Sequence, residues 1–296
     1  TIPILKYYAQ YLLGLFMVFT RVAGGNTTFL LGEVTNQSFF WYFPIAFITK
    51  EMLGFLVLLL ISFFILLRGC YTYVSVLIQS KKSRITTIVY AFGTYIGTHT
   101  LSLGFILFIG IYMFFTLRSN LNIGIRHIIP ILPMLYILTA NTIAHWMQTS
   151  TLRKSIVAVL CLWIVASYGF AYPYYLAYFN EAAGGRNNGH RILTDSNLDW
   201  GQDLKRLARY VDDRGIESIK LDYFGGGVPE YYLGDTYTRW TSRYGPTDGW
   251  IAVSATYLEN SRWYHLQNGE PDYDWLRERN PIAIIGGSIL VYYIEK

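Results

Sequence analysis

The stretch Leu53-Gly-Phe-Leu-Val-Leu-Leu-Leu-Ile-Ser-Phe-Phe-Ile-Leu-Leu67 decides the fold class. It carries no charge, and its apolar residues leave no polar face of the kind a surface helix shows. A helix that crosses a bilayer needs about 20 mostly apolar residues, because the hydrocarbon core is about 30 Å thick. With the upstream Phe39–Ile48 segment the run reaches that length, interrupted by Lys50 and Glu51. Working outward, three more apolar runs appear, and the expected spans are about 45–67, 96–117, 128–147 and 156–174. The run Ile88–Leu117 is too long for one straight span and too short for two with a turn. It is expected as one tilted span with Gly93 and Gly97 in an interfacial lead-in. Tyr7–Thr20 is apolar over 14 residues only, which fits an interfacial helix or the end of a span.

Composition agrees with a membrane chain. The 296 residues are 53% apolar and 15% charged, which excludes a disordered chain and argues against a single water-soluble domain. Charge is split along the sequence. Residues 1–175 hold 11 Lys/Arg and 2 Asp/Glu, whereas residues 176–296 hold 13 and 17. The positive excess lies between apolar runs, not on a polar face, so it reads as a topology signal and not as a nucleic-acid footprint. Two domains are expected: a transmembrane region over 1–175 and a water-soluble domain over 176–296.

Short loops set the orientation through their Lys/Arg content. Arg68, Lys81, Lys82 and Arg84 follow the first span, and Arg153 and Lys154 precede the fourth. The intervening loop has only Arg118 and Arg126. The richer loops are expected in the cytoplasm, which places the region before Phe39, the 118–127 loop and residues 176–296 outside. Aromatic belts at 39–43 and around Tyr168–Tyr175 fit this frame. Cys70 and Cys161 then fall on the reducing side. No amino-terminal signal peptide is visible, and the chain opens on Thr1, which reads as a processed protein or a fragment.

Residues 176–296 show shorter periods. Asp199–Asp213 reads as an amphipathic helix with Leu204, Leu207, Ala208 and Val211 on one face. Ser218–Phe224, Trp250–Thr256, Ile282–Ile285 and Ile289–Ile294 read as strands, and Asp272–Arg279 as a short helix. Helices among strands predict a small α/β layer. The fold class is therefore an all-α membrane bundle of about four helices followed by a small extracytoplasmic α/β domain.

Several constellations could carry chemistry. In Asn122-Ile-Gly-Ile-Arg126-His127-Ile-Ile-Pro130, Arg126 offers a donor fork suited to phosphate, and His127 a hydrogen bond or a proton. Equally, both residues could only anchor a span at the headgroups. The stretch Arg21–Glu51 sets Arg21, Asn26, Glu33, Asn36, Lys50 and Glu51 among aromatics, a composition suited to gripping a sugar. For any one of these residues, an ordinary solvated loop is the commoner outcome. Asn26-Thr-Thr and Asn36-Gln-Ser match the glycosylation sequon, which matters only in a eukaryotic secretory compartment. Asp195-Ser-Asn-Leu-Asp-Trp-Gly-Gln-Asp203 looks like the start of a calcium loop, but Trp200 and Arg206 stand where glycine and glutamate belong. Helix capping is the expected role of its Ser, Asn and Asp residues. Gly225–Gly227 lacks the context of a phosphate loop, and His99 is expected to pack at an interface rather than to ligate.

Three blocks carry a family resemblance. Gly32-Glu33 with Trp41-Tyr-Phe-Pro44-Ile-Ala-Phe and Lys50 resembles a stretch of bacterial membrane glycosyltransferases of the GT-C type. These are the protein-mannosyltransferase and aminoarabinose-transferase-like enzymes of glycosyltransferase family 39. Asn122–Pro133 and Asp195-Ser-Asn-Leu-Asp-Trp-Gly-Gln-Asp-Leu204 resemble further stretches, in the family's order. The resemblance implies transfer of a sugar from a polyprenyl-phosphate carrier to a lipid, glycan or protein acceptor on the outer face of a bacterial inner membrane. It implies that residues 1–296 are a carboxy-terminal portion, with the catalytic first outer loop upstream. No catalytic residue is then expected in this chain. No cofactor is expected either, any divalent metal belonging to the upstream half. Arg126 and His127, then Glu33, Arg21 and Lys50, are the expected contacts to carrier phosphate or sugar. Expected partners are the lipid-linked donor, the acceptor and membrane lipids, with no nucleic acid. The alternatives are a transporter subunit or a membrane scaffold with a periplasmic binding domain.

Overall fold

Each long apolar run folds as helix, because with no water to compete a helix satisfies its own backbone groups. In a computed structural model, residues 3–79 and 84–295 are described, without the side chains of 3, 4, 21, 76–79, 84–88 and 90–92. Among the described residues, four segments are long and apolar enough to cross a membrane: Leu53–Ser75, Gly93–Thr116, Ile125–Met147 and Thr151–Ala171. The chain is mostly helical, with a small mixed sheet. It divides into two compact units. One comprises Thr1–Lys50, Leu117–Arg126 and Ala171–Lys296; the other comprises Glu51–Thr116 and His127–Phe170.

The first unit begins with α1 (Pro3–Gly24), whose 22 residues leave Tyr7, Tyr11, Phe16 and Phe19 exposed. At about 1.5 Å per residue it is about 33 Å long, well beyond the 14-residue apolar stretch that marks it in the sequence. A hairpin follows, β1 (Thr28–Leu30) and β2 (Glu33–Thr35), turning on Leu31 and Gly32, both at positive φ. That is the mirror-image turn suited to strand twist. A leucine in place of the usual Asn or Asp hid it in the sequence. Then comes α2 (Tyr42–Lys50).

In the second unit α3 (Leu53–Gln79) starts at Leu53, not near residue 45, because the helix breaks at Glu51 and Met52. Lys50 and Glu51 are thereby kept out of the apolar span. Next come α4 (Arg84–Thr116), α5 (Leu132–Met147) and α6 (Thr151–Ala171). Helix α4 is one helix with a break at His99 (φ −120, ψ 20). There the His99 ring bonds the Tyr95 carbonyl and stacks on the Tyr95 ring at 4.4 Å. A side chain inserted into the backbone ladder is a regular cause of such a break. It bends a run too long for a straight span. Leu58, Ile143 and Leu160 form the core of this unit. A Cβ on Gly54 would lie 2.8 Å from the Leu160 carbonyl, so glycine is what lets α3 and α6 approach. Glu51 is buried and accepts from the Tyr136 hydroxyl at 2.9 Å. Lys81 and Lys82 lie outside the described residues, as does the side chain of Arg84.

The remainder of the first unit is an α/β layer: α7 (Leu204–Asp213), β3 (Ile219–Asp222), α8 (Pro229–Leu233), β4 (Tyr237–Arg239), β5 (Gly249–Ser254), α9 (Ala255–Asn268), α10 (Asp274–Arg277), β6 (Ala283–Ile285) and β7 (Ile289–Ile294). Sheet order is β4-β3-β5-β7-β6, with the first three parallel and β7 antiparallel to both neighbours. Leu207, Val211, Ile219, Leu221, Ala252 and Val291 form one buried cluster. Ile251, Val253, Leu290 and Tyr292, the alternate positions of β5 and β7, are buried as well. Both faces of these strands are thus covered, which explains their unbroken apolar sequence. Several details differ from the sequence reading: the helix expected from Asp199 begins at Leu204, and α8 and β4 were not expected. The strand expected to end at Thr256 stops at Ser254, and α9 follows directly. Helix α9 escaped notice because its apolar residues do not gather on one face.

Candidate functional site

Asn197 is fully buried, and chain segments far apart in sequence meet on it. Its Nδ2 donates to the Tyr42 hydroxyl at 2.8 Å and to the Thr194 carbonyl at 3.1 Å. Its Oδ1 accepts the Ile125 backbone N–H at 3.0 Å. Its own carbonyl accepts from Lys50 Nζ. One carboxamide therefore ties α2 and the 122–126 segment to the 194–200 segment. Gly124 makes the approach feasible: its φ is +133°, and a Cβ there would stand 3.0 Å from Ser196 Cβ. Asn122 continues the seam, accepting the Phe39 N–H at 2.7 Å through its side chain and the Thr28 hydroxyl at 3.1 Å through its carbonyl.

Lys50 donates also to the Leu176 carbonyl at 2.7 Å, and its ammonium lies 4.6 Å from the Phe179 ring centre. Burial lowers its pKa to about 7. Tyr42 is buried, which pushes its phenol up, and Arg126 and Asp195 act on that hydroxyl in opposite directions. Arg126 is itself exposed, its guanidinium 5.1 Å from the Trp200 ring centre. Trp200 is held by its indole N–H on the Ser196 carbonyl at 3.2 Å. A guanidinium held beside a ring in this way keeps N–H donors that suit an oxyanion.

Of the expected contacts, Lys50 and Arg126 are brought to the same 195–200 segment. His127 is half-buried, and its carbonyl accepts from the Tyr112 hydroxyl at 2.7 Å. Glu33 is exposed on β2, opposite Leu30. The side chain of Arg21 lies outside the described residues. Tyr42, Asn197 and Trp200 were not singled out from sequence as site residues, although each stands inside one of the blocks that carry the resemblance.

The capping expectation for residues 195–203 is corrected. The Asp203 side chain makes no cap bond to α7. It is buried and accepts from Ser288 Oγ at 2.7 Å and Gln202 Nε2 at 2.9 Å, and it pairs with Arg206. A buried carboxylate needs several donors, and these three side chains supply them in place of the α7 backbone. Asp199, also buried, accepts the Gly201 N–H at 2.9 Å; burial raises its carboxyl to about 8. Among the described residues, no group of three or more His, Cys, Asp or Glu is arranged to hold a metal ion.

Comparison of the chain with protein-family models, with curated proteins and with solved structures finds no match.

Proposed function

We propose that the chain is part of an integral-membrane glycosyltransferase. It would take a sugar from a polyprenyl-phosphate carrier on the outer face of a bacterial inner membrane, with residues 176–296 outside. The single observation behind this reading is that the three blocks resembling GT-C enzymes meet at Asn197. Tyr42 and Lys50 come from the first block, Ile125 from the second and Asn197 from the third. Separate blocks that share one buried hub are expected where a site must be held rigid.

In this reading the reaction is a displacement at the anomeric carbon with inversion. A general base outside residues 1–296 activates the acceptor. Arg126, on its Trp200 platform, stabilises the departing polyprenyl phosphate as negative charge grows on it. Lys50 acts as a positioning residue, since its ammonium is engaged by two carbonyls. The test is transfer from polyprenyl-phosphate mannose and polyprenyl-phosphate aminoarabinose by the full enzyme in native membranes. Arg126→Ala should lower turnover at least about tenfold, the scale of losing one charge-assisted contact to a transition state. Unchanged turnover would leave Arg126 as a headgroup anchor.

A further inference from the structure

A cavity of about 830 Å³ opens in the α/β layer, lined by residues at the carboxyl ends of β3 and β4 and by α9. Topology creates it. Strand β3 lies between β4 and β5, and all three are parallel. The chain leaving β3 passes through α8 to β4 on one side. The chain leaving β5 passes through α9 toward β7 on the other. Connections that part in this way leave a crevice at the strand ends, the place where open α/β sheets take ligands.

The lining chemistry narrows the ligand class. Six of the lining residues are aromatic, Trp240, Tyr244, Tyr257 and Tyr264 among them. Tyr244, Tyr257 and Tyr264 are solvent-exposed, and the buried Trp240 indole N–H has no acceptor among the described residues. Charged groups alternate in sign: Asp222, Glu230 and Glu270 against Arg239 and Arg243. Arg243 is already paired with Glu270 at 2.9 Å. The Asp222 carboxylate is fixed by the Tyr273 hydroxyl at 2.7 Å. With slightly more carboxylates than guanidiniums, the wall is poorly suited to a phosphate. Flat apolar faces suit the C–H face of a sugar ring. Carboxylate and guanidinium forks supply paired acceptors and donors for adjacent hydroxyls.

We propose that this cavity binds a neutral saccharide between its aromatic faces, with Asp222 and Arg239 on the sugar hydroxyls. The assignment does not rest on the transferase reading.

The experiment is a calorimetric titration of the full chain in lipid nanodiscs, which avoids competing maltoside headgroups. The probes are cello-, chito-, malto- and mannotetraose up to about 10 mM, with tetralysine as a cationic comparison. At least one tetrasaccharide should bind saturably. Tyr257→Ala should weaken it at least about tenfold, as expected for an aromatic anchor. The isosteric Asp222→Asn should weaken it as well while leaving the melting temperature in place. Tyr7→Ala on α1 should change nothing. The proposal is overturned if none of the four sugars binds. It is equally overturned if binding survives both cavity substitutions, or if tetralysine binds with the same sensitivity to them. Sugar binding by the chain, with no sugar transfer by the full enzyme in native membranes, would refute only the transferase reading.

Discussion

Replacing Asn197 by alanine tests whether the hub holds the first unit together. The substitution deletes the acceptor of the Ile125 N–H and the donors to the Tyr42 hydroxyl and the Thr194 carbonyl. All three lie around a fully buried side chain, so water cannot replace the lost partners without opening the structure. A buried polar group left without its partner costs about 1–3 kcal/mol, so three partly relaxed groups cost about 4 kcal/mol. For a body of this size, about 2–4 °C per kcal/mol gives a drop of about 10 °C in melting temperature. Tyr42→Phe removes a single bond and should cost about 1 kcal/mol, or about 3 °C. The assay is thermal unfolding of the full chain in nanodiscs, followed by intrinsic fluorescence. A drop below about 2 °C for Asn197→Ala, or a larger drop for Tyr42→Phe, would refute the hub.

Further outcomes follow from individual contacts. Lys50 has a pKa of about 7 when folded against 10.5 unfolded, so the unfolded chain holds more protons between those values. Stability therefore rises with pH from about 7 to 10.5, and Lys50→Met should flatten that rise in melting temperature. Asp199 has the opposite sign: its carboxyl titrates at about 8 when folded against 3.8 unfolded, so stability falls as pH rises between them. Asp199→Asn should remove this fall, measured by the same melts from about pH 4 to pH 8. Gly286→Ala would place a Cβ 2.0 Å from the Asp203 carboxylate at φ +64°. It should destabilise the α/β layer by at least about 3 kcal/mol, read as faster tryptic cleavage within 176–296.

Much of the architecture was legible from hydropathy. The uncharged run 53–67 requires a helix once water is absent, and the other long runs follow by the same reasoning. Helix α7 was legible from Leu204, Leu207 and Val211 at helical spacing, and β7 from its continuous apolar residues. The shorter elements were less so. The β1–β2 turn uses Leu31 at positive φ, and α9 has no single apolar face, so neither has a local signature.

The candidate site divides in the same way. Sequence by itself determined which residue types are present and which are too polar for a span; Arg126 and Lys50 could be named on that basis. Tertiary structure alone decided that the Lys50 ammonium is engaged by the carbonyls of Leu176 and Asn197, that Arg126 lies over Trp200, and that Asp203 holds Ser288 instead of capping α7. Hydropathy and periodicity are local properties, carried by neighbours three or four residues apart. A buried amide such as Asn197 takes its role from partners 72 and 155 residues away, and only folding brings those partners within hydrogen-bond reach.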